Sequence, residues 1–316
     1  MFKVFLLILS ILSSYANDTV NLQLKWKNSF WFAGFYMAKE KNFYKDVGLN
    51  VNIIENNHNI SILNEVLNKK NTYGIMDSAL FYWALRGKKI ELLMPILENS
   101  PIALVTTDLS IKRLKDIADK HIITEKNSIN NPSIIAMLKS RDMDIQKLNI
   151  SDKSYSINDL LTKRYIFSIY DTDELETIEN SGIKYKIFKP IDYGFDFYGD
   201  IFFTSKKEFK DHPHRVKAMM DATKKGWRYA FSHIDETIQI IQKKYNTQHF
   251  SYAKLKDEAT RVKKYISSNF KFNDIKIKRI DDIYILLDMA SNARNINDYI
   301  YKPFVLDKKE EVRNFF

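Results

Sequence analysis

Residues 22–53 read LQLKWKNSFWFAGFYMAKEKNFYKDVGLNVNI. Just before and into this stretch, Val20, Leu22 and Leu24 alternate with polar residues. That period of two predicts a half-buried strand over Val20 to Trp26. An aromatic turn follows, crowded by Phe30, Trp31 and Phe32. From Ala33 to Lys45 the apolar residues recur at helical spacing, and Gly48 supplies the C-terminal stop. Leu49 to Glu55 alternates again as a second strand. Strand, turn, helix and strand in this order open a binding cleft, because ligands in αβ sheets sit beyond the carboxyl ends of strands.

Working back toward the N-terminus, Lys3 precedes an almost unbroken apolar run from Val4 to Leu12, and Ser14-Tyr15-Ala16 offers small residues for cleavage. This is the secretory pattern, and the run is short for a membrane span. A signal peptide over residues 1–16 is expected; the alternative is an uncleaved N-terminal anchor. No Cys follows the run, so a lipid-anchored cysteine is excluded.

Working forward, Ile60 to Asn68 reads as a helix, Tyr73 to Met76 as a short buried strand, and Ser78 to Arg86 as a helix stopped by Gly87. Lys89 to Leu97 and Ile102 to Thr106 read as strands. Helices alternating with short strands predict a parallel or mixed sheet with helices on its faces. A second unit starts near Ser110. It has helices over Ile111 to Asp119, Pro132 to Arg141 and Ile157 to Thr162. Its strands cover His121 to Thr124, Ile145 to Ile150, Ile166 to Tyr170 and Lys184 to Lys189. The apolar strand Tyr198 to Thr204 crosses back toward the first unit. From Lys207 onward the chain reads as helical. Asp211 is placed as a helix cap with Pro213 in the first turn. Later helices cover Asp235 to Tyr245, Tyr252 to Ser267 and Ile280 to Asn292. The expected organisation is one lobe from 17–107 and 199–316 and a second from 108–198. The expected fold class is α/β: a two-lobed type II periplasmic binding protein fold, with mixed sheets, flanking helices and a helical C-terminal part.

Removing the leader leaves about 300 residues, enough for two modest lobes. There is no cysteine, which excludes disulfides, thiolate metal sites and Cys nucleophiles. The net charge of +10 is dispersed, with Lys and acids alternating along the helices, so no nucleic-acid partner is expected. Eight glycines are spread too widely for a phosphate-cradling loop, which argues against a dinucleotide fold or an NTPase. His212 and His214 flank a proline at a helix start, and the other histidines lie far apart, so no metal is expected. Ser78 lacks the glycines of a hydrolase elbow.

Leu24-Lys25-Trp26, Phe32-Ala33-Gly34-Phe35-Tyr36-Met37-Ala38-Lys39-Glu40-Lys41, Phe43-Tyr44-Lys45 and Gly48-Leu49 resemble the opening of the NMT1/THI5-like substrate-binding family. So does Asp192-Tyr193-Gly194-Phe195-Asp196-Phe197-Tyr198-Gly199-Asp200, continuing through Phe203-Thr204, His212-Pro213 and Gly226-Trp227-Arg228-Tyr229-Ala230. Ser100-Pro101 fits a further position. The resemblance implies a two-lobed fold that closes on a ligand. Bacterial members resemble carriers of thiamine pyrimidine precursors for an ABC importer. Relatives bind sulfonates or nitrate, and others serve as sensor domains of membrane signalling proteins. Eukaryotic members make the thiamine pyrimidine, consuming a histidine and pyridoxal phosphate with iron.

The chain departs from the synthases of that family. Their Lys position reads Met76, and their His four residues on reads Leu80, which leaves no amine for a Schiff base. Their cysteine-rich run reads Tyr198-Gly199-Asp200-Ile201-Phe202-Phe203. It departs from the carriers as well: a family Asn-Glu-Pro reads Asp173-Glu174-Leu175, and a Gln-His before Ser-Pro reads Glu98-Asn99. The expectation is a binder with no catalytic residue and no cofactor, acting as a monomer. Its partner is an ABC permease or a membrane sensor protein.

The candidate ligand-binding residues follow from chemistry. Trp26, Phe32 and Tyr36 offer flat faces, and stacking on a heteroaromatic ring is worth about 1 to 3 kcal/mol per partner. The alternative for these aromatics is packing in the core. Tyr170, Asp173 and Glu174 stand at a strand end. A carboxylate there accepts from an exocyclic amine, worth roughly 1.5 to 3 kcal/mol when charge-assisted; the alternative is two solvated loop acids. Glu98, Asn99 and Ser78 stand at other strand ends. Tyr193, Asp196, Tyr198 and Asp200 lie where the chain returns between lobes, to clamp an amine-bearing ligand or to secure the hinge. The ligand expected is a small aminopyrimidine-like ring.

Overall fold

The computed structural model describes residues 18–56, 60–124, 131–152, 165–170, 173–266, 270–272, 274–276, 279–280 and 295–302. The leader, the helix expected over Ile157 to Thr162, and most of Ile280 to Asn292 lie outside the described residues.

The first sheet contains β1 (Asp18–Gln23), β2 (Leu49–Ile54), β3 (Thr72–Met76), β4 (Ile90–Pro95) and β10 (Ile201–Ser205), in the order β2-β1-β3-β10-β4. β1 runs parallel to β2 with Val20 beside Val51 and Leu22 beside Ile53. It is parallel to β3 on its other side. β10 inserts antiparallel between β3 and β4, with Phe202 beside Ile75. Side-chain alternation then builds a core on each face: Val20, Leu22 and Phe202 point to one, Ile201 and Phe203 to the other. The outer edge of β4 is covered, because Tyr301 donates its N–H to the Leu92 carbonyl at 2.8 Å.

The second sheet contains β5 (Ile102–Thr106), β6 (His121–Thr124), β7 (Asn149–Asp152), β8 (Ile166–Tyr170) and β9 (Lys186–Phe188), in the order β7-β6-β8-β5-β9. The expected lobe boundary at residue 107 moves accordingly. β5 pairs with β8 and β9, so the chain leaves the first sheet at 96–101.

Helices α1 (Ala33–Glu40), α2 (Ile62–Asn68) and α3 (Ala79–Leu85) serve the first sheet. α4 (Pro132–Lys139) and α5 (Asp173–Ser181) serve the second. The helical C-terminal part follows as α6 (Lys206–Asp211), α7 (Pro213–Ser232), α8 (Ile234–Lys244) and α9 (Tyr252–Lys263). The backbones of α1 and α7 touch. A Cβ on Gly226 would stand 2.0 Å from the Gly34 carbonyl oxygen, and Trp227 lies over Gly34. No helix among the described residues is long and apolar enough to cross a membrane.

Four local expectations change, the first being that Ile145 to Ile150 opens as a short turn, Ile145–Lys147, with β7 beginning only at Asn149. The helix from Ala33 stops at Glu40 because Asn42 turns left-handed (φ 62°), which brings Tyr44 inward to bond Thr223 at 2.8 Å. Ile111 to Asp119 keeps only the short turn Leu114–Ile117, where the Asp116 carboxylate accepts from the N–H groups of Lys112 and Arg113. Asp211 ends α6 rather than capping α7, whose cap position is His212.

Candidate functional site

Strand direction decides where a site can form. The carboxyl ends of β1, β2, β3 and β4 share one edge of the first sheet, and β10 begins there. The carboxyl ends of β6, β7, β8 and β9 share one edge of the second, and β5 begins there. The crossing at 96–101 joins the end of β4 to the start of β5. The crossing at 189–200 joins the end of β9 to the start of β10. Both crossings therefore connect these two edges.

The first wall is the aromatic turn after β1. It is tied down at many points. The Asn28 N–H donates to Glu55 at 2.7 Å, its side-chain oxygen accepts from the Tyr36 hydroxyl at 2.7 Å, and its carbonyl accepts from Gln248 at 2.7 Å. The Phe30 N–H donates to the buried Glu258 carboxylate at 2.8 Å. Asn56 donates to the carbonyls of Lys25 and Trp26 at 3.1 and 3.2 Å. Such bonds fix the backbone of the turn.

Charge gathers at the same edge. Lys25, one residue past Leu24, pairs with Asp200, the residue that starts the return into β10. Burial pushes the Asp200 carboxyl up, Lys25 opposes this, and nearby Asp77 adds to the rise. Asp77 follows β3 and caps α3 by accepting the Ala79 N–H at 2.9 Å.

The hinge is a close pairing of the two crossings. The Gly199 N–H donates to Leu97 at 3.0 Å, and the Ile96 N–H donates to Asp200 at 2.7 Å. A Cβ on Gly199 would stand 2.7 Å from the Asn99 carbonyl oxygen, so the approach requires glycine. Asn99 donates its amide to Asp196. Arg279 fastens both crossings: it donates to the carbonyls of Glu98 and Asp196 at 2.9 Å, pairs with the Asp196 carboxylate at 2.8 Å, and lies over the Tyr198 ring. The Tyr265 carbonyl accepts from Glu98 and Asn99.

Two further contacts bridge the lobes, on opposite faces of the sheets. On one face Asn131, which caps α4, donates to Asp77 at 3.3 Å, and Ala136 of α4 joins the core that contains Leu80 and Phe81 of α3. On the other, Lys254 and Arg261 of α9 pair with Glu176 and Glu179 of α5.

The expected residues divide into groups. Lys25's partner Asp200, together with Ser78, lies at the strand-end edge of the first sheet. Trp26 is partly exposed there. Glu98, Asn99, Asp196 and Tyr198 meet in the hinge, where the Tyr198 hydroxyl accepts from the Lys276 N–H at 2.8 Å. Phe32 and Tyr36 are packed in the core, and Tyr36 stacks on Tyr245 at 4.1 Å. Tyr193 lies under the Arg141 guanidinium, away from the Lys25 edge. The side chains of Tyr170, Asp173 and Glu174 lie outside the described residues. Lys25, Asp77, Asn131 and Arg279 join these contacts without being among the residues expected from sequence. Asn131 before Pro132 carried a capping signal; nothing local marked Arg279. No group of three or more His, Cys, Asp or Glu side chains among the described residues could hold a metal ion.

Comparison with known proteins agrees with this architecture. A sequence model of the NMT1/THI5-like family matches residues 29–237. A structure from Bordetella bronchiseptica RB50 superposes with a TM-score of 0.71 at 13% identity, covering 94% of this chain and 98% of that one. The periplasmic aliphatic sulphonate binding protein SsuA from Escherichia coli gives 0.67 at 10% identity, covering 90% and 97%. A Candida albicans gene product described as having the generic periplasmic binding protein fold gives 0.63 at 14% identity, covering 92% and 99%. Among curated protein sequences none matches. The fold is that of the two-lobed periplasmic binding proteins.

Proposed function

The chain belongs to the NMT1/THI5-like family, and on that premise we propose that it is an exported solute-binding protein. It captures a small heteroaromatic ligand, a thiamine-pyrimidine precursor or close analogue, for uptake through an ABC permease. The observation that carries this reading is the cleft edge: Lys25, Asp77 and Asp200 gather at the strand ends of one sheet, and Asn131 of the other reaches them. A carboxylate beside the cleft suits the exocyclic amine of an aminopyrimidine. Trp26, exposed at this edge, offers a flat partner for its ring. A binder is favoured over a synthase because Met76 and Leu80 occupy the places of the amine and imidazole that the chemistry needs. The location proposed with it is the periplasm, on the signal peptide expected over residues 1–16, and the state proposed is a monomer.

Calorimetric titration of the mature chain with hydroxymethyl- and formylaminomethyl-aminopyrimidines tests this. The expected result is a single site of micromolar or tighter affinity, about −8 kcal/mol. No heat at millimolar ligand overturns the pyrimidine assignment.

A further inference from the structure

Four buried side-chain polar atoms among the described residues have no hydrogen-bond partner: Trp31 Nε1, Ser78 Oγ, Ser168 Oγ and Trp227 Nε1. A buried donor left unpaired is costly and calls for an explanation. Trp227 lies deep in the first core, against Gly34 and Phe35. Trp31 and Ser78 follow the carboxyl ends of β1 and β3, and Ser168 stands in the middle of β8.

Trp31 belongs to the tied-down turn after β1, and its ring lies 6.1 Å from that of Tyr265, whose carbonyl fastens the hinge. Ser78 follows β3 and is fully buried. Serine before a helix normally spends its oxygen on capping, but here Asp77 accepts the Ala79 N–H and Ser78 caps nothing. Ser168 sits two residues before the end of β8. Its ladder partner is Leu104 of β5, two residues in from the pair Ile102 and Tyr170 at the strand-end edge. Alternation places Ser168 on the same face as Ile166, the face covered by α4. The cap of α4 is Asn131, the residue that crosses to Asp77.

We infer that Trp31, Ser78 and Ser168 are hydrogen-bond donors to the ligand of this cleft, and that the ligand meets them with neutral acceptors such as ring nitrogens or carbonyl oxygens, not with an oxyanion. The inference rests on the binding role proposed above. Lys25 is already matched by Asp200, with Asp77 as a further carboxylate beside them. Arg279 is taken up by Asp196 and two hinge carbonyls. A sulfonate or phosphate at this edge would meet carboxylates and cations that already have partners, and repulsion would offset its hydrogen bonds.

The test has two readouts. Thermal unfolding of the ligand-free protein comes first. Ser78→Ala and Ser168→Ala remove unpartnered hydroxyls, so both variants should unfold at the parent's temperature or above. A fall of more than about 4 °C in both would show that these hydroxyls serve the fold, and would overturn the inference. Calorimetry comes second. Hydroxymethyl-aminopyrimidine should bind Ser78→Ala, Ser168→Ala and Trp31→Phe about five- to tenfold more weakly than the parent. Ethanesulfonate should bind the parent more weakly than the pyrimidine. Unchanged pyrimidine affinity in all three variants, or tighter binding of ethanesulfonate, overturns the inference and leaves the binding role intact. If the parent binds neither probe, the pyrimidine reading itself falls, and the unfolding temperatures of the serine variants decide the inference alone.

Discussion

Asp77 and Asn131 each cap a helix in a different lobe, and their side chains meet at 3.3 Å across the cleft. Each residue therefore does two jobs, one local and one between lobes. Alanine at either position should cost about 1 kcal/mol for the lost cap. The shared contact should appear as a coupling of about 0.5 to 1 kcal/mol in a double-mutant cycle followed by urea unfolding. Strict additivity would show that the contact contributes nothing.

The ion pairs between α9 and α5 hold the opposite face of the same closure. Partly exposed pairs weaken as salt rises toward about 0.5 M, because screening lengths become shorter than the pair's surroundings. The radius of gyration from small-angle X-ray scattering should then increase. The double variant Lys254→Met, Arg261→Met should be expanded already at low salt and should lose the salt response. A radius that stays constant in both proteins would contradict a latch.

Gly226 sets the approach of α7 to α1. Gly226→Ala places a methyl 2.0 Å from a backbone oxygen, which side-chain motion cannot relieve. The expected loss is about 3 kcal/mol in chemical unfolding, or failure to fold. A variant as stable as the parent would mean that the two helices sit further apart.

Glu91 is buried in β4, and burial raises its carboxyl to about 7, only partly offset by Lys206 and Lys302. A carboxyl whose pKa is raised on folding favours the folded state while it is protonated. Its contribution is full below the unfolded value and is lost as pH rises through about 7. Glu91→Gln should therefore be more stable than the parent at pH 8, by on the order of 2 kcal/mol, and nearly equal to it at pH 4. Equal stability at both pH values would contradict the burial of this carboxylate.

Most of the fold was legible because its signals are local. Alternation in Val20 to Leu24 and in Leu49 to Ile53 gave β1 and β2, and the glycine-rich return motif preceded β10. Strand pairing was not legible. Ile102 to Thr106 reads as an apolar strand in either sheet, and only its ladder to β8 assigns it to the second. The site was legible in part. Acids and aromatics near strand ends can be listed from sequence, but which of them a core claims depends on three-dimensional packing. Tyr36 illustrates this: helical spacing does not reveal that its hydroxyl bonds Asn28 and its ring stacks on Tyr245. Arg279 was invisible for the same reason, since its partners Glu98 and Asp196 are distant in sequence.

A ligand is expected between the two strand-end edges. A crystal structure of the mature protein grown with hydroxymethyl-aminopyrimidine tests it most directly. The expected result is a planar ligand between the Lys25–Asp200 pair and Asn131, with its amine toward a carboxylate and its ring nitrogens toward Ser78, Ser168 or Trp31. Full ligand occupancy elsewhere, with this cleft filled by protein side chains alone, would contradict it.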